Sequence, residues 1–318
     1  MLKSSKIFIA GHKGMVGSAV VRSLEKAGYQ NLVVKNRSEL DLTNQTETRE
    51  FIANEKIDVV IDAAAKVGGI LANNTYPYDF IMQNMLIQNN LIQAAVENKI
   101  QKFIFLGSSC IYPKMAPQPL KEEYLLTGPL EPTNEWYAIA KISGIMACRA
   151  ARKQMGLNAI SLMPTNLYGF NDNFDLNGSH VLPAMIRKFH EAKENNTDVT
   201  LWGTGSPLRE FLHVDDMAAA TVFALENDLE EDLYNVGFGT DLTIKELAEL
   251  VQKTVGHKGE IIWDTTKPDG TPKKLMDSSK LRNLGWEPKI NLEEGIQVTY
   301  NWFLEMLKSE QNLKGVNH

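Results

Sequence analysis

Hydrophobic positions in the first half of the chain follow two alternating rhythms. Short, nearly continuous apolar runs occur at 6–10 (K-I-F-I-A), 32–35 (L-V-V-K), 58–65 (D-V-V-I-D-A-A-A), 102–108 (K-F-I-F-L-G-S) and 158–164 (N-A-I-S-L-M-P). Between them, apolar residues recur at helical spacing. Gly17, Val20, Val21, Leu24 and Ala27 form one such stripe; Ile81, Met85, Ile92 and Ala95 form another, interrupted by the polar Gln88. Strands without polar alternation are buried on both faces. Alternating with helices, they predict a parallel, doubly wound α/β sheet of the Rossmann type. Pro132, Thr133 and Asn134 supply a helix start before Tyr137.

After about Gly169 the rhythm changes. N-D-N-F-D-L-N-G-S-H reads as a surface loop. Helical patterns follow at 181–192, 215–226 and 292–307, with short strands at 199–202, 233–236 and 261–263 and a smaller element at 278–284. Thr243 and Glu246 have the form of a capping box that opens a helix running to Val255. A smaller mixed α/β lobe is therefore expected over residues 170–318, with a segment at about 205–240 returning to the first domain, residues 1–169.

Composition narrows the field only modestly. Hydrophobic residues make up 43% and charged residues 23%, ordinary values for a globular chain. A net charge of -6 makes nucleic acid an unexpected partner, although local cations can still hold a small anion. Two cysteines, Cys110 and Cys148, exclude a disulfide framework. No apolar run is long enough to span a bilayer, so no membrane role is expected. The opening M-L-K-S-S-K-I-F-I-A-G runs directly into a strand pattern; no signal peptide and a cytoplasmic location are expected.

The first chemistry is the glycine loop A-G-H-K-G-M-V-G-S-A, which follows a strand and opens a helix. Gly11 suits a tight turn, Gly14 a close approach to a pyrophosphate, and Gly17 close helix packing. Free N–H groups at the helix start face the phosphates. The spacing is one residue longer than G-x-G-x-x-G. A dinucleotide fits this setting better than a purely structural turn. Lys13 and Arg37 would suit the 2′-phosphate of NADP(H), with solvated surface charges as the alternative. Asp41 could accept from the adenine amine.

The second chemistry is Y-A-I-A-K, which puts Tyr137 and Lys141 on one helix face. An ammonium beside a phenol is expected to lower its pKa from about 10, making it a proton donor to an alkoxide. By itself the pair could equally be a core tyrosine and a solvated lysine. Ser108, at the end of an expected strand, strengthens the catalytic case. If extended backbone persists there, Ser108 and Cys110 project to one side and Ser109 away. Cys110 could otherwise be a small buried hydrophobe. Cys148 reads as core. His180 could cap a helix, and His12, His190, His213, His257 and His318 compete with it for a chemical role; His12 belongs to the glycine turn, and for His213 a structural hydrogen bond is expected.

Glycine loop, strand-end serine and Y-x-x-x-K resemble the extended short-chain dehydrogenase/reductase family, whose members act on nucleotide sugars. A-A-A-K-V-G-G-I, A-N-N-T-Y-P, F-L-G-S-S-C-I-Y-P-K, E-P-T-N-E-x-Y-A-I-A-K, M-P-T-N-L-Y-G, R-E-F-L-H-V-D-D-M-A and K-P-D-G-T-P extend the resemblance over nearly the whole chain, toward its GDP-sugar epimerase/reductases. It implies a homodimer, through helices near Ile81 to Ala95 and Tyr137 to Arg152, that binds GDP-4-keto-6-deoxy-D-mannose. It further implies inversion at C3 and C5 by Cys110 and His180, then NADPH-dependent reduction of the C4 ketone with Ser108, Tyr137 and Lys141. Implied NADPH/NADP+ contacts run through Gly11, His12, Lys13, Gly14, Met15, Val16 and Gly17, then Arg37, Asp41 and Leu42, then Ala63, Ala64 and Ala65. They continue through Leu106, Gly107, Ser108 and Ser109, through Tyr137 and Lys141, and through Pro164, Thr165, Asn166, Leu167 and His180. Implied substrate contacts are Lys188, Trp202, Arg209 and Asp269. Lys188 stands where the family often has arginine, so a bidentate grip is lost there. Each of these four could instead be a surface charge or a core aromatic. A nucleotide-sugar 4-epimerase or dehydratase that retains its cofactor, and a non-catalytic NADPH sensor, are the alternatives.

Overall fold

The computed structural model describes residues 1–176, 178–267 and 269–309. Its first half runs β1 (Ile7–Ala10), α1 (Met15–Lys26), β2 (Leu32–Val33), α2 (Gln45–Glu55), β3 (Val59–Asp62), α3 (Ile70–Thr75), α4 (Pro77–Glu97), β4 (Lys102–Leu106), α5 (Glu135–Met155) and β5 (Ala159–Pro164). There follow β6 (Asn166–Tyr168), α6 (Val181–Asn195), β7 (Val199–Trp202), β8 (Leu208–Arg209), β9 (Phe211–His213), α7 (Val214–Glu226) and β10 (Leu233–Val236). The chain continues with β11 (Leu242–Thr243), α8 (Ile244–Val255), β12 (Ile261–Asp264), β13 (Lys273–Lys274), α9 (Ser279–Asn283) and α10 (Leu292–Lys308).

Six strands form one sheet in the order β10-β5-β4-β3-β1-β2, and every pairing in it is parallel. The expected doubly wound sheet is thus present, with its reversal of strand order between β1 and β3. That is where such sheets open a crevice at their carboxyl ends. Period-two alternation divides each strand between two cores. Ile7, Ile9, Val59, Ile61, Ile104 and Leu106 pack on the side of α1 and α7. Phe8, Ala10, Val60, Phe103 and Phe105 face the side covered by α4 and α5. Burial at about 25 cal/mol per Å2 of apolar surface makes these two faces the main source of stability.

The segment 214–236 returns to this sheet: α7 packs on α1 and β10 pairs with β5. Buried Lys102 ties the return in place, its Nζ donating to the carbonyls of Ala224, Leu225 and Asn227 at 2.9, 3.1 and 2.7 Å, near the C-terminus of α7. A third core, built from α6, α8, α10 and the aromatics Tyr168, Phe174 and Phe211, lies in the C-terminal part. The Thr243–Glu246 capping box opens α8 as expected.

Candidate active site

The glycine loop adopts the geometry its residues require. Gly11 has φ +79°, and a Cβ there would lie 2.6 Å from the Ala63 carbonyl oxygen. The loop therefore rests on the Ala63–Ala64 backbone, just past β3, which ends at Asp62 rather than at the expected residue 65. A Cβ on Gly17 would lie 2.2 Å from the Gly11 oxygen, so its small size lets α1 close on the loop itself. No side chain caps the α1 N-terminus and its first turn holds no acid. This cradle fits a dinucleotide pyrophosphate. Lys13 and Arg37 are exposed beside it. Glu39 shares their neighbourhood: its carboxyl is held below the usual range by the Asn36 N–H, with Lys35, His12 and Lys13 adding to the effect. Asp41 uses one oxygen on the Thr43 amide and hydroxyl, at 3.0 and 2.8 Å.

Beyond β4 the backbone departs from expectation. The strand stops at Leu106, and Ser109–Ile111 form a 3-10 turn. Ser108 caps it, accepting from the Cys110 N–H at 3.4 Å. Strand alternation therefore does not bring Ser108 and Cys110 together; the tight turn does. Cys110 is buried, which pushes its thiol up, while Lys274, Ser108 and Lys141 pull it down.

Tyr137 and Lys141 lie on one face of α5. The Lys141 Nζ donates to the Leu106 carbonyl at 2.8 Å and sits 4.7 Å from the Phe105 ring centroid and 5.9 Å from that of Tyr137. The expected lowering of the tyrosine is corrected here. Burial pushes Tyr137 up, and the neighbouring Cys110 and Asp62 add to the rise. Lys141 is itself buried and lowered for that reason, with Asp62 and Cys110 opposing the shift. Gln88, the polar break in the α4 stripe, anchors α5 next to this pair: its Nε2 donates to the Ala140 carbonyl at 2.6 Å and to Ser143 Oγ at 2.9 Å.

His180 occupies the N-terminus of α6 in extended backbone, and its side chain does not cap the helix. The ring remains accessible. Surrounding protein lowers its basicity, and Lys274 lowers it further. One lysine thus lowers the pKa of both Cys110 and His180. His213, by contrast, caps α7, its Nδ1 accepting from the Asp215 N–H at 3.2 Å. Cys148 is core, as expected. His318 and the Pro268 of the K-P-D-G-T-P motif lie outside the described residues.

The four residues expected to contact substrate are found in different states. Lys188 donates to the Thr200 carbonyl at 3.2 Å, and burial lowers its pKa. Trp202 is 66% exposed, with Lys267 Nζ 5.6 Å from its ring centroid. Arg209, in β8, is lowered by burial and opposed by Asp269. Asp269 is committed to the loop after β7, accepting from the Thr204 N–H and hydroxyl at 2.9 and 2.7 Å. Nearer the sheet, Asn166 Nδ2 donates to the Glu210 carbonyl at 2.8 Å, tying β6 to the segment that carries Arg209.

A family profile spans most of this architecture: residues 7–237 match the NAD dependent epimerase/dehydratase family. The chain belongs to that family. Within it, GDP-L-fucose synthase 1 of Arabidopsis thaliana is 61% identical over 304 residues, covering 95% of this chain and 94% of that protein. GDP-L-fucose synthase of Escherichia coli K12 is 54% identical over 314 residues, covering 96% and 98%. Among solved structures, the GDP-mannoheptose C4 reductase of Campylobacter jejuni with NADP bound is 39% identical, with TM-score 0.87 over 96% of this chain and 99% of that one.

For this epimerase/dehydratase-family chain, two residues in or beside the site went unread in the sequence. Lys274 is the second residue after the K-P-D-G-T-P motif, but in a two-residue strand with no period of its own. Asp62 is fully buried at the end of β3, and an acid closing the apolar run V-V-I-D was the available signal.

Proposed function

We propose that this chain converts GDP-4-keto-6-deoxy-D-mannose to GDP-L-fucose, inverting C3 and C5 and then reducing the C4 ketone with NADPH. The Tyr137–Lys141 pair on α5, with Cys110 acting on the ionisation of both and Lys274 acting on both Cys110 and His180, supports this reading in a chain 54% to 61% identical to two GDP-L-fucose synthases. The Ser108 and Tyr137 hydroxyls hold the C4 oxygen, which acidifies the flanking C–H bonds. Near neutral pH the raised Cys110 thiol keeps its proton and the lowered His180 ring is uncharged, so the cleft offers one proton donor and one acceptor. Together they can remove a proton from one face of a carbon and return one to the other. Bound NADPH supplies the hydride for C4. Tyr137 then protonates the developing alkoxide, and Lys141 holds the nicotinamide ribose and the phenol in register. Residues 1–169, with the returning segment, would hold the cofactor; the remainder would hold the GDP-sugar, with Lys188 and Arg209 at its diphosphate.

A homodimer accords with the exposed apolar Met82, Leu86, Ile139 and Met146 on the paired helices α4 and α5. A cytoplasmic location accords with the two free cysteines, Cys110 and Cys148.

The test is product analysis after incubation with NADPH and the keto-sugar nucleotide. Stoichiometric NADPH oxidation with inverted C3 and C5 is expected. Cofactor that cycles without net oxidation would identify a retaining epimerase or dehydratase instead.

A further inference from the structure

One titratable group beside the site has no part in that chemistry. Asp62 ends β3 with 0% exposure. Its Oδ1 accepts from the Ala64 N–H at 3.1 Å, while Oδ2 is buried among the described residues without a hydrogen-bond partner. A buried carboxylate oxygen with no donor costs free energy, so its retention calls for a charge nearby. Register identifies the neighbours. Asp62 stands opposite Ala10 of β1 and Phe105 of β4, and alternation turns it to the sheet face covered by α5. Phe105 is the ring over which the Lys141 Nζ sits, and Leu106, the next residue, is its hydrogen-bond acceptor. The titratable groups facing Asp62 are Lys141, Tyr137 and Cys148, all on α5; Ala10 and Phe105 on either side do not titrate.

We propose that Asp62 is a positioning residue for the reduction: its buried carboxylate is the counter-ion that keeps the Lys141 ammonium charged and directed at the Tyr137 end of the cleft. The charge balance supports this. Burial pushes Asp62 up to about 6, with Lys141 pulling it down, so the carboxylate is mainly ionised at pH 7 and above. Burial drives Lys141 the other way, toward losing its proton, and Asp62 opposes that loss more strongly than Cys110 or Cys148. Without the carboxylate, Lys141 releases its proton at lower pH.

This inference rests on the NADPH-dependent reading above, and its test separates the two. The rate of keto-sugar reduction and the affinity for NADPH, followed by nicotinamide fluorescence, are measured against pH for wild type, Asp62→Asn and Asp62→Leu. Asn keeps an oxygen for the Ala64 N–H; Leu suits the apolar face should Asn fail to fold. Both variants are expected to move the alkaline limb of both profiles down by about one pH unit. A packing role would instead lower stability and leave the limbs in place. Limbs that superimpose on wild type, at whatever rate, overturn the role of Asp62. A wild-type protein that binds NADPH without reducing the sugar overturns the proposed function, while the affinity profile still reports on Asp62.

Discussion

Tyr137 and Lys141 ride on one helix, whereas Cys110 and His180 come from separate segments. The first pair needs only α5, the sheet beneath it and Gln88 behind it. The second needs the 3-10 turn after β4, the start of α6, and Lys274 from β13. A pair on one helix has its spacing set by backbone hydrogen bonds. A pair from two segments has its spacing set by how those segments pack. Reduction should therefore tolerate disturbance of the C-terminal core, and proton exchange should not.

The sharpest break of this comparison is Tyr137→Phe. Loss of the proton donor should lower NADPH oxidation by about 10²–10⁴-fold, while solvent deuterium still enters the carbons beside the ketone. Unchanged oxidation would remove Tyr137 as the acid. Cys110→Ser is the mirror experiment. Deuterium incorporation should fall by roughly 10²-fold with NADPH affinity retained, and wild-type incorporation would show that the thiol has no role in exchange.

A smaller effect sharpens the contrast. Lys274 lowers the pKa of both Cys110 and His180. In Lys274→Met the imidazole keeps its proton to higher pH, so an exchange step that needs neutral His180 begins at higher pH. The thiol also ionises later, so the whole exchange profile should move up by about one unit. The reduction profile, governed by groups on α5, should stay where it is. A profile that does not move would separate Lys274 from the pair.

The same contrast explains what could be read from the sequence. The glycine loop and Y-A-I-A-K are contiguous, and their meaning depends on one strand–turn–helix or one helix face. The long strands of the sheet were legible because both faces are apolar. Helix α2 was not, since Gln45–Glu55 buries only Thr48 and Ile52 and shows no apolar stripe. β8, β11 and β13 have two residues each, too few for any period, yet β8 and β13 carry Arg209 and Lys274 into register with one another. The Tyr137 ionisation was misread for a related reason. Spacing shows that Lys141 is near, but not that its Nζ donates a hydrogen bond to the Leu106 carbonyl or that burial outweighs it.

The smallest predicted effect tests whether the two pairs belong to separable units of stability. Thr243 Oγ1 accepts from the Glu246 N–H at 3.1 Å, and Glu246 Oε2 accepts from the Thr243 N–H at 2.7 Å. Thr243→Ala removes half of this cap and should cost about 1 kcal/mol. It touches neither pair. However, α8 shares a core with α6 through Leu247, Val251, Leu182 and Phe189, and α6 begins at His180. In buffer the variant should keep both activities. In rising urea, deuterium exchange should fail in the variant at lower concentration than in wild type, while NADPH binding is lost at the same concentration in both, because local opening spends stability only where it was removed. If exchange and cofactor binding shift together, the two cores unfold as one, and the packing that positions Cys110 and His180 is no weaker than the helix that holds Tyr137 beside Lys141.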